Sequence, residues 1–538
     1  MKQNNYVRQK KYWDSFVHNG VCFPPPYDYK GLEIIVHGKR YKLSPVAEEM
    51  AWAWVKIMNT EKVKDEVFRS NFMKDFSKHL PKEIRNVDIS QIDFSEVRKA
   101  YLKEKIRLKR NKKLSKQRKK EKEKLRKMYG FAYVDGRKVR ISNWMVEPPG
   151  IFMGRGNHPL RGRWKPRIEP RDVTLNLSKD AKIPEGDWGE VVHDPSGMWV
   201  ARWKDKLTGK IKYVWLHETS HIRQHKDKEK YDKALKLAKK IQVVRKRILK
   251  ALRSRDFETR KIATACYLID KLGLRVGDEK DPDEADTVGA TTLRVEHVKI
   301  TERAIEFKFL GKDSVEWHKS IKLDDADPHF VKNMLELIRG KKQGEQIFDT
   351  VSSTSVNKFL SKCAKGLTAK VFRTYHATRV VWEYLLNSDG KTKRANLETK
   401  KYIAKLANLE AAKFCNHKRT TPKSYRSSVK KKLEKLRELL EKKPKSKKAE
   451  RKVKQRIKKL KLEIELLKKT KDYNLATSLK NYIDPRVYKA WAEHVGIDWH
   501  ELYPKSLQKK FAWVSKAKVS WENFPLNHVE KQALKNSL

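Results

Sequence analysis

The sequence is poor in the features that mark membrane, secreted and metal-stapled proteins. Its 538 residues include only four cysteines, which are far apart and form no CxxC pair. Such usage indicates reduced thiols and excludes a disulfide framework or a cysteine-based zinc site. The sequence has no run of about 18 apolar residues that could span a bilayer, and no apolar signal segment follows Met1-Lys-Gln-Asn-Asn. These absences predict a soluble, intracellular chain.

Acidic side chains are also scarce compared with basic ones. The chain has 67 Asp and Glu against 126 Lys and Arg, a net charge of +59 that is spread from end to end. A positive electrostatic field concentrates polyanions, so we expect double-stranded DNA or another nucleic acid as the partner. An anionic membrane surface is the alternative partner. The 15 Trp and 18 Phe exclude a disordered basic tail, because such tails lack core-forming aromatics.

The order of sequence patterns predicts a multidomain α+β protein. Short strands mixed with helices indicate a mixed α/β cap, and the next region is mainly helical with a small antiparallel sheet. A coiled-coil linker and a small helical C-terminal domain complete the chain. The predicted boundaries are a tail at 1–12, the cap at 13–225, the core at 226–424, the linker at 425–471 and the C-terminal domain at 472–538.

Several elements are specified locally. Residues 34–41 read as a hairpin with Gly38 in its turn, and Ser44-Pro45 is typical of a helix start. Residues 103–127 predict one very basic helix, either a solvated charged face or a lever over a DNA backbone. Between 425 and 471, apolar residues step by three and four on both sides of Pro444, which predicts an antiparallel two-helix coiled coil.

Five residues, each in a clearly predicted secondary-structure element, together provide the side chains needed for phosphoryl transfer. They are Arg275, Lys312, Arg373, His417 and Tyr482. A tyrosine hydroxyl, with a pKa of about 10, needs nearby cations to become a nucleophile. Two arginines and a histidine can hold the non-bridging oxygens of a phosphate in the transition state. The lysine, at the tip of a predicted hairpin, can protonate a leaving 5′-oxygen.

Other residues in these segments are candidate DNA contacts. Arg155 lies between Gly154 and Gly156 in a loop that is either an ordinary turn or a close approach to a DNA groove. Lys370 shares a helix face with Arg373, on a helix predicted to begin after Thr368. The chain has no phosphate-binding P-loop and no carboxylate cluster of the Mg²⁺-binding type. We therefore expect no ATP, no metal site and no required divalent ion, although such ions can stimulate product release.

These segments carry a resemblance to the eukaryotic-type (type IB) DNA topoisomerase I family, over about residues 12 to 530. The matching stretches include Ile269-Asp-Lys-Leu-Gly-Leu-Arg-Val-Gly, Phe309-Leu-Gly-Lys-Asp-Ser, Leu367-Thr-Ala-Lys-Val-Phe-Arg-Thr-Tyr, Cys415-Asn-His-Lys-Arg and Asn481-Tyr-Ile-Asp-Pro-Arg. In this family the positions that match the five residues above are catalytic. The resemblance also implies DNA contacts at Arg155, Gly156, Asn157, Asp313, Lys370 and Asn481.

The resemblance implies a fold and a reaction. Family members form a clamp around duplex DNA, nick one strand through a 3′-phosphotyrosine, allow rotation and reseal the strand without ATP. It further implies a monomer associated with chromosomes and an inhibitor site for camptothecin beside Arg155, Asp313 and Asn481. The compartment would be the nucleus in a eukaryote, or the cytoplasm and nucleoid in an archaeon.

Two departures from the family pattern are visible. The long charged N-terminal domain of nuclear members is missing, so the chain resembles the shorter archaeal members. The lysine that precedes Asn481-Tyr482 is displaced by one place, to Lys480. Two alternatives stay open at this level: a tyrosine recombinase, which uses nearly the same residues, and a non-catalytic basic architectural protein. The second accounts for the charge but not for the five-residue set.

Overall fold

The computed structural model describes residues 11–277 and 288–526, which fall into two compact units, 11–225 and 226 onward. The predicted α+β class is confirmed, because helices dominate and the sheets are small. All four cysteines are buried and free. In the part of the chain that the structure describes, no helix is both long and apolar enough to cross a membrane.

The first unit contains twelve short strands and four helices within its described residues. The strands are β1 (Phe16–His18), β2 (Glu33–Val36), β3 (Lys39–Lys42), β4 (Ile92–Asp93), β5 (Phe131–Val134), β6 (Arg137–Arg140), β7 (Gly150–Ile151), β8 (Trp164–Lys165), β9 (Val173–Asn176), β10 (Glu190–Val192), β11 (Trp199–Lys204) and β12 (Ile211–Trp215). The helices are α1 (Pro45–Ile57), α2 (Glu66–Phe76), α3 (Ser95–Arg110) and α4 (Lys112–Tyr129).

The strands of this unit form four small sheets, ordered β1-β5-β6, β3-β2-β4, β7-β8 and β10-β9-β11-β12. The predicted hairpin is confirmed as β2–β3, with Gly38 at φ +76° in its turn. The predicted helix start is confirmed as well, because the Ser44 side chain accepts from the Ala47 backbone NH ahead of α1. Two separate apolar cores support these sheets and helices.

The basic segment is two helices rather than the one that was predicted. α3 ends at Arg110, and the side chain of Asn111 accepts a hydrogen bond from the Leu114 backbone NH at the start of α4. Asparagine competes for backbone hydrogen bonds and favours caps over helix interiors, which explains the break. Neither a run of lysines nor helical periodicity reveals such an interruption.

The second unit is mainly helical and surrounds one large apolar core. Its helices are α5 (His221–Ala251, from residue 226 onward in this unit), α6 (Phe257–Leu272), α7 (Pro328–Ile338), α8 (Ser353–Cys363), α9 (Ala369–Asn387), α10 (Asp389–Thr392), α11 (Leu397–Phe414), α12 (Tyr425–Glu441), α13 (Lys447–Thr470), α14 (Leu475–Asn481), α15 (Pro485–His494) and α16 (Lys505–Lys510). Its antiparallel sheet is β13 (Val298–Ile300), β14 (Ala304–Gly311) and β15 (Val315–Lys322).

Two features of this unit are the hairpin that carries Lys312 and the pair of helices α12 and α13. β14 and β15 pair along their whole length, from Ala304 opposite Lys322 to Gly311 opposite Val315, and Lys312 lies in the turn between them. α12 and α13 pack on each other across the connection at 442–446, with Lys432 and Glu463 paired between them. α13 also contacts α11, where Lys459 and Glu398 are 3.1 Å apart.

The helix end at Gly273 gives a test of local strain. Gly273 follows α6 at φ +66°, and a Cβ at this position would lie 2.5 Å from Cε1 of Phe414. Gly273→Ala should therefore be destabilising twice over, by about 1–2 kcal/mol from the left-handed backbone and by a further ~1–3 kcal/mol from steric overlap. The thermal midpoint of unfolding measures the effect.

Gly496→Ala is the matched control. Gly496 also follows a helix, at φ +71°, but nothing lies within 4 Å of its Cβ position. Only the backbone cost of about 1–2 kcal/mol applies there. Equal shifts in the thermal midpoints of the two variants would show that the ring of Phe414 moves aside without cost.

Candidate active site

Arg373 is the buried centre of the candidate site. It lies on α9, and its side chain is only 3% exposed. The guanidinium donates hydrogen bonds to the backbone carbonyls of Gly273 and, at 2.8 Å, of Cys415. A buried cation is costly unless its donors are satisfied, so these two carbonyls hold the side chain in one orientation. The predicted cap residue Thr368 does occupy the N-cap of α9, but its side chain makes no capping hydrogen bond.

Arg275 and His417 follow the two helix ends that Arg373 connects. Arg275 comes three residues after the end of α6, and its carbonyl accepts from Ala290 NH at 2.8 Å. His417 comes three residues after the end of α11, in a turn that begins with Asn416 at φ +53°. The last carbonyls of a helix have no partner within the helix. A cation placed between two such ends therefore fixes both loops that follow them.

Tyr482 directly follows α14, as the proline three residues beyond it predicts. Its ring lies between two of the other residues: the guanidinium carbon of Arg373 is 5.2 Å from the ring centre, and the ring centres of Tyr482 and His417 are 5.1 Å apart. The backbone after it is fixed by α9, where the hydroxyl of Thr378 accepts from Asp484 NH at 3.1 Å. α9 thus positions both Arg373 and the chain segment that carries the tyrosine.

The electrostatics of this cluster favour the phenolate form of Tyr482. Burial acts to raise the pKa of its hydroxyl, but the positive charges of Arg373 and Arg275 outweigh burial and bring the pKa below its ordinary value. A hydrogen bond from Arg373 acts in the same direction. A tyrosine in this setting is a better nucleophile than a free one.

His417 is kept neutral by the same surroundings. Burial is the largest cause, and the charges of Arg373 and Arg275 add to it, which together lower the pKa of His417 to about 3. Both of its ring nitrogens, and Nε of Arg373, are buried without a hydrogen-bond partner in the described part of the chain. Buried polar atoms normally have partners. Because a neutral imidazole carries one N–H, Nε of Arg373 and the protonated ring nitrogen of His417 are suited to donate to the oxygens of a bound phosphate.

Most of the remaining predicted residues are exposed. Lys312 is exposed in the β14–β15 turn, where its ammonium makes no hydrogen bond or ion pair with any described residue. Lys370 and Asn481 are exposed on α9 and α14. Asp313 follows Lys312, and its side chain lies outside the described residues. Arg155, Gly156 and Asn157 are exposed in a turn of the first unit, where Gly154 and Gly156 have positive φ.

One cation beside the cluster was missed by the sequence analysis. Lys319 is partly buried on β15 and donates to the carbonyls of Leu272, at 3.0 Å, and Phe414, at 2.7 Å. A signal for it exists in the alternation of the strand, where Val315, Trp317, Lys319 and Ile321 share the face that packs on the core. A lysine in a core-facing series needs a partner.

Side chains suited to metal coordination do not gather at this site. Within residues 11–277 and 288–526, no three His, Cys, Asp or Glu side chains form a group that could hold a metal ion. The groups that surround Tyr482 are two guanidinium groups and an imidazole, which suit a phosphate rather than a cation.

The chain matches three described protein families in succession. Residues 11–216 match the DNA-binding fragment of eukaryotic DNA topoisomerase I, residues 219–471 its catalytic core, and residues 454–523 a C-terminal topoisomerase domain. It is 36% identical to DNA topoisomerase 1 beta of Arabidopsis thaliana, over 95% of this chain and 61% of that protein. It is also 36% identical to human DNA topoisomerase 1, over 93% of this chain and 70% of that protein.

The neutrality of His417 can be tested in the free protein. An unperturbed histidine titrates near pH 6.5, whereas the pKa of His417 is lowered to about 3, mainly by burial. Its imidazole should therefore stay neutral from pH 5 to 8 in an NMR titration. A protonation midpoint above pH 6 for His417 would contradict this account of the pocket.

Proposed function

The chain belongs to the eukaryotic-type (type IB) DNA topoisomerase I family, and we propose that it relaxes positive and negative supercoils by transient cleavage of one DNA strand. Because the chain spans 61% of its Arabidopsis relative and 70% of its human relative, the activity of those longer proteins is carried over as part of this proposal. DNA is the expected partner, in keeping with the DNA-binding fragment that residues 11–216 match.

The proposed reaction begins with attack of the Tyr482 hydroxyl oxygen on a backbone phosphorus. The tyrosine proton passes to solvent, a bond forms between the phenolic oxygen and phosphorus, and the bond from phosphorus to the 5′-oxygen breaks. Lys312 gives a proton to that oxygen, which leaves as a 5′-hydroxyl. After rotation the 5′-hydroxyl returns its proton to Lys312 and attacks the phosphotyrosine. The bond from phosphorus to the phenolic oxygen breaks, Tyr482 takes a proton from solvent, and the strand is resealed.

The observation that carries this proposal is the arrangement of Arg373, Arg275 and His417 around Tyr482. The two arginines favour the phenolate, and Nε of Arg373 and the protonated ring nitrogen of His417 offer donors for the non-bridging oxygens as negative charge grows in the transition state. Only torque stored in the DNA drives the rotation, so the reaction needs no ATP. We propose that DNA contacts from Arg155, Gly156, Asn157, Asp313, Lys370 and Asn481 position the strand.

Several further properties belong to the same proposal. The protein acts as a monomer on chromosomal DNA, and the α12–α13 linker restrains rotation without contributing to cleavage. The linker is dense in lysine and carries no member of the catalytic set. As the resemblance implies, a camptothecin-type inhibitor would stabilise the nicked complex.

Tyr482→Phe tests the nucleophile. The change removes one oxygen and keeps the ring, so its packing against His417 should survive. DNA binding should stay within about two-fold of wild type, since many basic side chains carry it. The covalent adduct trapped by detergent should disappear. An adduct of normal yield would show that another residue attacks phosphorus.

Lys312→Ala tests the general acid. Loss of a general acid costs about 10²- to 10⁴-fold in cleavage rate, and Lys312 is exposed, so its truncation leaves the core intact. A substrate with sulfur in place of the bridging 5′-oxygen releases a thiolate that needs no proton. It should restore cleavage by Lys312→Ala but not by Arg275→Ala or Arg373→Ala, whose lost charge it does not replace. Equal rescue of all three would refute these roles.

Relaxation of a plasmid separates this function from its alternatives. A supercoiled plasmid without any recombination site should be relaxed fully in excess chelator and without ATP, for both signs of supercoiling. A recombinase restricted to its own sites would leave it supercoiled, and an architectural protein would form no adduct. Loss of all activity in chelator, restored by Mg²⁺, would contradict the proposed independence from metal.

A further inference from the structure

Lys319 lies where the β14–β15 hairpin meets the ends of two helices. Its ammonium donates to the carbonyl of Leu272, the last residue of α6, and to that of Phe414, the last residue of α11. It also lies 5.3 Å from the ring centre of Trp317 and 4.6 Å from that of Phe414. The negative ends of two helix dipoles therefore meet at the ammonium of Lys319.

The contacts of Lys319 run parallel to those of Arg373. Arg373 bonds the carbonyls of Gly273 and Cys415, each one residue farther along the same two segments. Two cations thus hold two successive carbonyls on each of two chain segments. They differ in the element that each joins to the ends of α6 and α11. Arg373 joins α9 to them, whereas Lys319 joins the hairpin that carries Lys312.

A second contact joins the hairpin to the same segment. The side-chain amide of Asn416 donates to the carbonyl of Glu316 at 3.0 Å. Glu316 and Lys319 are four and seven residues from Lys312 along a regular two-stranded ribbon. A strand rises about 3.3 Å per residue, so a tilt at these two contacts is amplified at the turn. The contacts between the hairpin and the helix ends thus determine the position of Lys312 at the tip of the hairpin.

Burying a charged lysine side chain at this position costs free energy. Burial lowers the pKa of Lys319 to about 8, the positive charge of Arg373 lowers it too, and Cys415 opposes them by raising it. Perturbed cations of this kind are enriched at functional sites. An apolar residue would fit the core-facing series of the strand without this cost, which argues that the ammonium contacts are needed.

We propose that Lys319 is a positioning residue for strand cleavage, which aligns the β14–β15 hairpin, and with it Lys312, against the helix ends that carry Arg275 and His417. It does not touch the reacting atoms. The inference rests on the proposed function, because it assigns a role through the general acid of that reaction.

The test compares cleavage of two duplex substrates, with oxygen or with sulfur at the bridging 5′ position, by the full chain. Lys319→Met keeps the apolar stem over the rings of Trp317 and Phe414 but removes the donors. It should slow cleavage of the oxygen substrate by about 10- to 100-fold, as expected for a displaced catalytic group. The sulfur substrate, which needs no general acid, should be cleaved within about three-fold of wild type.

Two further variants serve as controls. Lys319→Arg keeps the charge and the donors and should recover most of the rate on the oxygen substrate. Lys322→Met removes an exposed lysine from the opposite face of β15 and should leave both rates unchanged. If Lys319→Met fails to fold, Lys319→Gln keeps a polar donor without the charge and should show the same selective rescue by sulfur.

The outcomes separate this inference from the function on which it depends. Equal losses on both substrates would mean that Lys319 acts through the arginine pocket or through stability alone, and would overturn the inference. An unchanged rate on the oxygen substrate would overturn it as well. If the wild-type chain forms no adduct with either substrate, the proposed function itself fails, and the inference fails with it.

Discussion

The structure of the candidate site depends on cations that bind the carbonyl ends of two helices. α6 and α11 both end beside the active site, and the carbonyls at such ends have no partners within their own helices. Arg373 bonds one carbonyl after each helix and therefore holds together two segments that lie far apart in sequence. Arg275 and His417 follow these segments directly. Their positions are consequences of this bridge.

The same bridge determines the chemistry of the tyrosine. A guanidinium group held by backbone carbonyls cannot turn away when Tyr482 packs against it, so its charge acts on the hydroxyl at a fixed distance. Burial and charge then work in opposite directions on the pKa of the tyrosine, and charge prevails. For His417 burial and charge work in the same direction, which keeps the ring neutral. One local environment thus favours the phenolate of Tyr482 and keeps the imidazole of His417 uncharged.

The segment that carries Tyr482 is fixed from its other side. Asp484 is fully buried, and its carboxylate accepts hydrogen bonds from Arg486, which also pairs with Asp232 of α5 at 2.7 Å. Buried ion pairs contribute little net stability when compared with apolar packing. They do define orientation, because every donor must find its acceptor. In this chain the network anchors the start of α15, three residues after the tyrosine.

The elements of this protein and the chemistry available to it follow from short-range signals in the chain. Turn glycines, cap residues and the spacing of apolar side chains located the β2–β3 hairpin, the start of α1, the Lys312 hairpin and the linker helices, because these signals act over a few residues. Its motifs also identified the set around Tyr482 by resemblance. The break at Asn111 and the missing capping bond of Thr368 were not predicted, since each depends on a choice between competing local hydrogen bonds.

Which side chains meet depends on contacts between residues that are far apart in the sequence. Arg373 reaches a carbonyl 100 residues away, and Asp484 is held by a hydroxyl 106 residues away. Lys319 reaches Phe414 across 95 residues. No local period encodes such distances, because the packing of α6, α9, α11 and the hairpin around one core sets them. The alternation of β15 placed Lys319 on the core face, but the two helix ends that satisfy its charge become visible only once the chain is folded.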